Sequence, residues 1–212
     1  RKGALLFIDL DNFKTLNDTR GHDAGDLLLI EAAQRLQTCV RESDTVARLG
    51  GDEFVVVLEA LSHDRNDAAL QADRIAEKIR LLLNEPYQIT DFIHHGAGSI
   101  GVCLFQGGDV TVKDLFKRAD TAMYEAKTSG RNAVRFFDPA MQAVLVVKMM
   151  LESNLRVALA LEQFQLYYQI QVDADGNVIG AEALLRWIHP DRGFISPLEF
   201  IPVAEQTGLI IP

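Results

Sequence analysis

The sequence contains little cysteine, no long hydrophobic run and no excess of positive charge. Two of its 212 residues are cysteine, too few for a disulfide framework that could replace a hydrophobic core. No apolar run approaches the roughly 20 residues of a membrane span. Lysine and arginine total 21 against 30 aspartates and glutamates, a net charge of −9. This balance argues against a nucleic-acid or anionic-membrane surface, because such surfaces need clustered cations.

The remaining composition is that of a globular protein with a full-sized core. Hydrophobic residues make up 48% and charged residues 24%, which excludes extensive disorder. Cys39 and Cys103 lie in apolar surroundings, so we expect buried free thiols and a cytoplasmic location. The first residue is Arg1 rather than Met. We therefore expect a soluble excerpt of a longer protein, whose other segments could carry an inner-membrane anchor.

Hydrophobic periodicity divides the chain into three parts. Residues 1–138 give the order strand, helix, hairpin, helix, strand pair, helix, strand, with residues 87–90 and 98–105 as the strand pair. This order predicts an α/β (α+β) domain with helices on the faces of one mostly antiparallel sheet. A helical pattern opening at Pro139 predicts a linker helix over residues 139–162. Residues 163–212 then read as two strands around a turn, followed by a helix.

The clearest candidate site is the sequence GGDEF at residues 50–54. β-prone runs flank it, so we expect a hairpin with its acids at the tip. Glycines allow a ligand to approach the backbone, and adjacent Asp52 and Glu53 project in different directions. Taken by itself, the motif fits a polar hairpin tip equally well.

Acids and cations elsewhere in the chain favour a nucleotide site. Asp9 and Asp11 end a buried strand, and a strand-end carboxylate beside a hairpin carboxylate suits Mg²⁺ when phosphates complete its coordination. Such a site lowers the barrier to phosphoryl transfer. Lys127 and Arg131 lie one helical turn apart and can face one triphosphate. Considered alone, this pair fits better the cations that any helix C-terminus favours.

Five blocks of sequence resemble GGDEF-domain diguanylate cyclases, whose sheet is that of the nucleotidyl cyclases. In order they are DLDNFK at 9–14, the pairs ND, GH and GD between 17 and 26, GGDEF at 50–54, AD at 119–120 and AKTSGRN at 126–132. The resemblance covers residues 1–138. It implies condensation of two GTP molecules into cyclic di-GMP with release of two pyrophosphates, in bacterial second-messenger signalling.

The resemblance also implies a role for each matched residue. Asp9, Glu53 and the backbone carbonyl of Leu10 would hold Mg²⁺ (or Mn²⁺), while Asp52 would act at the attacking hydroxyl or hold a second metal ion. The phosphate-binding and catalytic cations would be Lys14, Lys127 and Arg131.

Guanine recognition is implied on the same basis. Asn17 and Asp26 would read the guanine edge, beside Phe13 in the substrate pocket. An amide and a carboxylate together match guanine rather than adenine, and so select GTP over ATP.

Dimerisation and product feedback are implied as well. One domain would hold one GTP, so catalysis would need a homodimer. Arg41 and Asp44 stand just ahead of the glycine pair and match the family's RxxD inhibitory site, where cyclic di-GMP binds. An arginine can pair with phosphate or a guanine edge, and a carboxylate can accept from guanine.

Residues 163–212 resemble the beginning of an EAL domain, a TIM-barrel phosphodiesterase that hydrolyses cyclic di-GMP. The resemblance rests on YQIQV at 168–172, GAEALLRW at 180–187 and FIPVAEQTG at 200–208. It implies that Glu182 is a first metal ligand and that Gln169 and Arg186 lie in the substrate groove. Ile170 stands where the family commonly has proline. A barrel needs about 200 residues, so this active site is incomplete in the chain.

Two other functions remain open at this point. The first domain could sense GTP or cyclic di-GMP and regulate the EAL hydrolase, or the parent could be bifunctional and mainly hydrolyse cyclic di-GMP. The presence of both the signature acids and the phosphate-binding cations favours the cyclase.

Overall fold

The computed structural model describes residues 2–108 and 110–211. The chain forms two compact units, one extending to Val144 and the other starting at Leu145. No helix in the described ranges combines the length and apolarity needed to cross a bilayer. Cys39 and Cys103 are buried free thiols, which confirms that expectation.

The first unit is a helix-covered sheet. Its strands are β1 (Lys2–Leu10), β2 (Thr45–Gly50), β3 (Glu53–Leu61), β4 (Tyr87–Ile89), β5 (Phe92–His94), β6 (Gly98–Gln106) and β7 (Val134–Phe136). Its helices are α1 (Phe13–Arg20), α2 (His22–Cys39), α3 (Arg65–Leu83) and α4 (Val112–Thr128), and α5 (Pro139–Ala160) begins here. The main sheet has the order β2-β3-β1-β6-β7, and only the β6–β7 pair is parallel. The predicted fold class, helices on a mostly antiparallel sheet, is therefore confirmed.

Strand β1 is the centre of this sheet and is buried on both faces. From Gly3 to its end every residue is buried, so alternate side chains must enter two different cores. Phe7 faces helix α4 together with Val55 and Cys103. Ile8 lies on the opposite face, where a Cβ added to Gly98 would touch both Ile8 and Leu83 of α3. The terminal residues of β1 therefore lie at an edge of the sheet that is held by packing on both faces.

Helix α4 lies unusually close to the sheet. Small residues on its inner face, Ala119, Ala122 and Ala126, are fully buried, and the sheet beneath presents Gly101. Its N-terminus is capped by Thr111, whose hydroxyl accepts from the Asp114 backbone N–H at 3.1 Å. Cap and close packing fix the direction of the helix, so that its C-terminal cations arrive at the end of β1.

Two local expectations were wrong. Residues 87–90 do not pair with residues 98–105, because β4 instead forms a separate hairpin with β5, and β6 pairs with β1. The sequence interpretation also assigned no helix between β1 and α2, where α1 forms. Both errors concern short elements whose stability comes from tertiary contacts.

The second unit contains a three-stranded antiparallel sheet and helices. Strands β8 (Phe164–Val172), β9 (Val178–His189) and β10 (Gly193–Ile195) are arranged in the order β10-β9-β8, and α6 (Pro197–Thr207) follows. Asp173 closes the β8–β9 turn by accepting from the backbone N–H of Asp175 and Asn177. Trp187 centres a small core with the following buried residues: Leu151, Leu155, Ala158, Ile195, Phe200, Val203 and Ala204.

Candidate active site

The candidate site begins where β1 meets the β2–β3 hairpin. Asp9 lies directly opposite Glu53 in the antiparallel register. The next β1 residue, Leu10, donates its backbone N–H to the Asp52 carbonyl at 3.2 Å. Gly51 occupies the turn with a φ of +52°, a conformation that glycine adopts at little cost. The hairpin acids and the strand-end acid are therefore brought together.

Arg48 braces this turn, a role that the sequence interpretation missed. Its Nε and Nη2 both donate to the Gly51 carbonyl, at 3.0 and 2.8 Å. The paired bonds hold the turn from within β2. The only sequence feature that pointed to this role is a basic residue two positions before the glycine pair. An exposed arginine in a strand does not by itself indicate a hydrogen bond to a backbone carbonyl of the turn.

Asp9 and Lys127 form a close ion pair at this edge. Lys127 Nζ lies 2.6 Å from Asp9 Oδ2, and the Asp9 side chain is only 8% exposed. Burial, with smaller contributions from the charges of Asp52 and Asp11, raises the pKa of Asp9 to about 6, although Lys127 opposes the shift. Burial therefore outweighs the ion pair and disfavours the charged form of Asp9.

Asp11 is buried within a network of hydrogen bonds. Its Oδ1 accepts from the Ser99 hydroxyl at 2.8 Å and its Oδ2 from the Asn132 backbone N–H at 3.0 Å. Arg131 Nε lies 4.0 Å from Oδ1, and the arginine side chain is mostly exposed. Asp11 therefore joins the loop after α4 to the strand end.

Helix α1 carries three of the candidate substrate residues. Lys14 is exposed, and Phe13 is buried. The side-chain oxygen of Asn17 is buried without a hydrogen-bond partner, a costly state that a ligand donor would relieve. A Cβ added to Gly25 would overlap that oxygen and approach Phe13, so glycine at this position leaves room for the amide.

Asp26 lies one residue further along α2, on an open groove. It is exposed and lines a cavity of about 460 Å³ between α2 and the β2–β3 hairpin, with Leu29, Arg48 and Phe54 among the other lining residues. Asn17 on α1 and Asp26 on α2 thus lie on adjoining helices, next to the place where Asn17 approaches Gly25.

The candidate inhibitory residues lie on the turn before β2. Asp44 accepts from the backbone N–H of Arg41 and from that of Glu59, each at 3.0 Å. Arg41 itself is exposed. Asp44 therefore ties the turn to β3 and leaves the arginine side chain at the surface.

The candidate EAL residues share neighbouring strands of the second unit. Gln169 and Glu182 are directly opposite each other on β8 and β9, and both are exposed. The Arg186 guanidinium lies 5.8 Å from the Tyr167 ring centre and 5.9 Å from that of Phe194. An amide, a carboxylate and a guanidinium therefore occur on one strand pair.

The carboxylate oxygens around Asp9 are suitable ligands for a hard cation. Within residues 2–108 and 110–211, no three His, Cys, Asp or Glu side chains converge as a preformed set of metal ligands. The donors at the β1 edge are nevertheless carboxylate and carbonyl oxygen atoms, as Mg²⁺ prefers when substrate phosphates supply further ligands. These residues fit a divalent cation that arrives with a nucleotide.

Comparison with known proteins finds two matching domain families. The model of the family described as "Diguanylate cyclase, GGDEF domain" matches residues 1–133, and the EAL domain model matches residues 152–212. The bifunctional diguanylate cyclase/cyclic di-GMP phosphodiesterase MucR of Pseudomonas aeruginosa is 47% identical over 212 residues, all of this chain and 30% of MucR. The chain spans less than a third of the first curated relatives that it matches.

Solved structures give the same result for the first unit. The GGDEF domain of PA1120 (YfiN or TpbB) from P. aeruginosa superposes with a TM-score of 0.59 at 40% identity, over 64% of this chain and 81% of that one. The GGDEF domain of DgcB from Caulobacter crescentus, solved in complex with c-di-GMP, has a TM-score of 0.55 at 27% identity, over 64% and 78% of the two chains.

Proposed function

Since the chain belongs to the GGDEF diguanylate cyclase family and continues into an EAL domain, we propose that its first unit condenses two GTP molecules into cyclic di-GMP, releasing two pyrophosphates. The observation that carries this proposal is the register of Asp9 opposite Glu53, with Lys127 of α4 against the same carboxylate. Acids and cations at one sheet edge can serve a metal–triphosphate. We assign residues 1–138 to this domain, 139–162 to a linker and 163–212 to the EAL portion.

The acids at this edge would hold Mg²⁺ or Mn²⁺. Asp9, Glu53 and the Leu10 carbonyl would be the ligands, and Asp52 would act at the attacking hydroxyl or on a second ion. The bound cation would neutralise charge developing on the α-phosphate. The raised pKa of Asp9, caused mainly by burial and then by the charges of Asp52 and Asp11, supports the assignment, because a bound cation would stabilise the charged carboxylate there.

The cations would bind the triphosphate. Lys127 now pairs with Asp9, and substrate phosphates would offer it a second partner while the metal takes over the carboxylate. Arg131 is mostly exposed and can approach phosphate with its planar fork. Lys14 would contact the same oxygens from α1.

The groove beside α2 would take the guanine. The amide of Asn17, whose oxygen is buried without a partner, would pair with the acceptor edge of the guanine, and Asp26 would accept from the N1 and N2 hydrogens. Phe13 would pack beside them. Adenine lacks the N1 and N2 hydrogens that Asp26 would accept, so GTP would be selected.

Catalysis would require two such domains facing each other, because each 3′-hydroxyl attacks the α-phosphate of the other GTP. We expect the rate per molecule to fall on dilution through the dimer dissociation range. Initial rates measured alongside analytical ultracentrifugation check this expectation. A monomer with undiminished specific activity would contradict it.

Product feedback is assigned to Arg41 and Asp44. The exposed Arg41 side chain would pair with cyclic di-GMP. The similar GGDEF domain of DgcB was crystallised in complex with this nucleotide. Arg41→Ala should raise the product concentration giving half inhibition about tenfold or more, since a charge-assisted pair contributes ~1.5–3 kcal/mol, while the uninhibited rate stays constant. Asp44 is a poorer target, because it also ties the turn to β3.

The matched control for that experiment is Glu42→Ala, a change at the exposed neighbouring residue. The inhibition constant for cyclic di-GMP should differ from wild type in Arg41→Ala and stay unchanged in Glu42→Ala. An unchanged inhibition constant for Arg41→Ala would refute the assignment.

A bifunctional parent is the second candidate, favoured by the name of MucR. In it, the EAL domain, with Glu182 as metal ligand and Gln169 and Arg186 in the groove, would hydrolyse cyclic di-GMP once the full barrel is present. A domain that only senses nucleotide is the third. With GTP as substrate, we place the reaction in the cytoplasm.

Two incubations of the full-length protein separate the three functions. GTP with Mg²⁺ should yield cyclic di-GMP, and added cyclic di-GMP should be consumed only if the hydrolase is active. GTP binding without turnover would identify a sensor, and net hydrolysis without synthesis would contradict the cyclase.

A further inference from the structure

The loop after α4 bends through two consecutive residues in the left-handed region. Arg131 has a φ of +62° and Asn132 a φ of +44°. Neither is glycine, and side chains at such angles persist only where their surroundings hold them. The strained pair includes the residue whose guanidinium is assigned to phosphate.

Asn132 is held at its backbone N–H and at both ends of its side-chain amide. Its backbone N–H donates to Asp11 Oδ2 at 3.0 Å. Its side-chain oxygen accepts from Arg80 Nη1 at 3.1 Å, and its side-chain nitrogen donates to Asn84 Oδ1 at 3.2 Å. The last two partners come from the C-terminal end of α3, more than 40 residues earlier in the chain.

The partners of Asn132 are themselves fixed. Arg80 also pairs with Glu77 at 2.8 Å. Asn84 caps α3, its backbone N–H bonding to the carbonyl of Arg80. Asp11 is 2% exposed and also accepts from Ser99. The strained turn is thus clamped between helix α3 and the end of β1.

We infer that Asn132 is a positioning residue: its clamp between Asp11 and the α3 pair Arg80 and Asn84 fixes the left-handed turn that presents Arg131 to the triphosphate. This role rests on the proposed function. It extends the active site to α3, which contributes no residue to the metal, phosphate or guanine contacts assigned above.

Asn84 offers the sharpest test, because its change leaves the active-site residues in place. Asn84→Ala removes the acceptor for the Asn132 amide, whereas Asn84→Asp keeps an oxygen there. In the full-length protein we expect Asn84→Ala to raise KM for GTP about fivefold, the loss of one hydrogen bond, with kcat within twofold. Asn84→Asp should have a KM close to the wild-type value. Glu85→Ala, at the exposed next residue, should resemble wild type.

A double-mutant cycle with Arg131→Ala separates positioning from general stabilisation. If Asn84 acts through Arg131, Asn84→Ala should change KM by less than twofold in the Arg131→Ala background. An equal fivefold change in both backgrounds would overturn the inference, as would an unchanged KM or a loss confined to kcat and melting temperature.

The same cycle can be measured with GTP dissociation constants in place of KM. A wild-type protein that binds GTP but forms no cyclic di-GMP would contradict the proposed function alone, since the coupling between Asn84 and Arg131 would still appear in the dissociation constants. Normal synthesis without coupling would contradict only the positioning role.

Discussion

Asp9→Asn is expected to abolish cyclic di-GMP synthesis and, at the same time, to stabilise the metal-free protein at neutral pH. The activity loss should reach about 10³-fold, because the substitution removes a carboxylate from the proposed metal and leaves charge at the α-phosphate uncompensated. Initial rates with saturating GTP and Mg²⁺ measure this effect.

The gain in stability follows from the direction of the pKa shift. The fold raises the pKa of Asp9 from 3.8 to about 6, so the folded protein disfavours the charged form. Two pKa units correspond to ~3 kcal/mol. This shift already includes the ion pair with Lys127, so asparagine, which carries no charge, should recover up to this amount.

The raised pKa also makes the stability of the fold depend on pH. Between about pH 4 and 6 the folded state retains a proton on Asp9 that the unfolded state has released. The free energy of unfolding should therefore decrease as pH rises through this window, and Asp9→Asn should remove that slope. Denaturant titrations in EDTA measure it, with Asp91→Asn, at an exposed residue, as control. A less stable Asp9→Asn protein at pH 7 would contradict the raised pKa of Asp9.

Gly101→Ala is expected to separate α4 from the sheet. A Cβ at this position would overlap the Ala119 carbonyl and the backbone of Met123, and backbone atoms cannot move aside as side chains do. We expect a destabilisation of about 3 kcal/mol, the upper end for an overpacked core. Synthesis should fall as well, because Lys127 and Arg131 depend on the placement of α4.

Denaturant unfolding and the melting temperature measure this change. Gly107→Ala is the matched control, because a Cβ there would meet nothing within 4 Å. If Gly101→Ala unfolds at the wild-type midpoint, the helix does not lie where the contacts place it.

The sequence allowed the fold class and the meeting of hairpin and strand end to be predicted because the signals are local. The local sequence specifies the strand that ends in acid, and it likewise specifies the hairpin turn at the glycine pair between two β-prone runs. Family resemblance added the order of the blocks. Asp9, Asp52 and Glu53 could therefore be expected at one edge before their register was known.

The contacts missed from the sequence are those between distant segments. Helix α1 is only 8 residues long and its N-cap, Asn12, is left-handed and makes no side-chain cap bond, so periodicity gives little signal for it. The clamp on Asn132 joins residues about 50 and 120 positions apart. Propensity and periodicity carry no information on such pairs. Arg48 was overlooked for a different reason, since its partner is a backbone carbonyl of the turn.

The most direct test is the stoichiometry of GTP turnover by the full-length protein carrying Glu182→Gln, a change intended to block hydrolysis by the EAL domain. Chromatography with mass spectrometry would follow cyclic di-GMP, and an enzymatic assay would follow pyrophosphate. A diguanylate cyclase should release two pyrophosphates for each cyclic di-GMP, and none when Asp9→Asn is added. GTP left intact by the Glu182→Gln protein, or consumed without cyclic di-GMP, would contradict the proposed function.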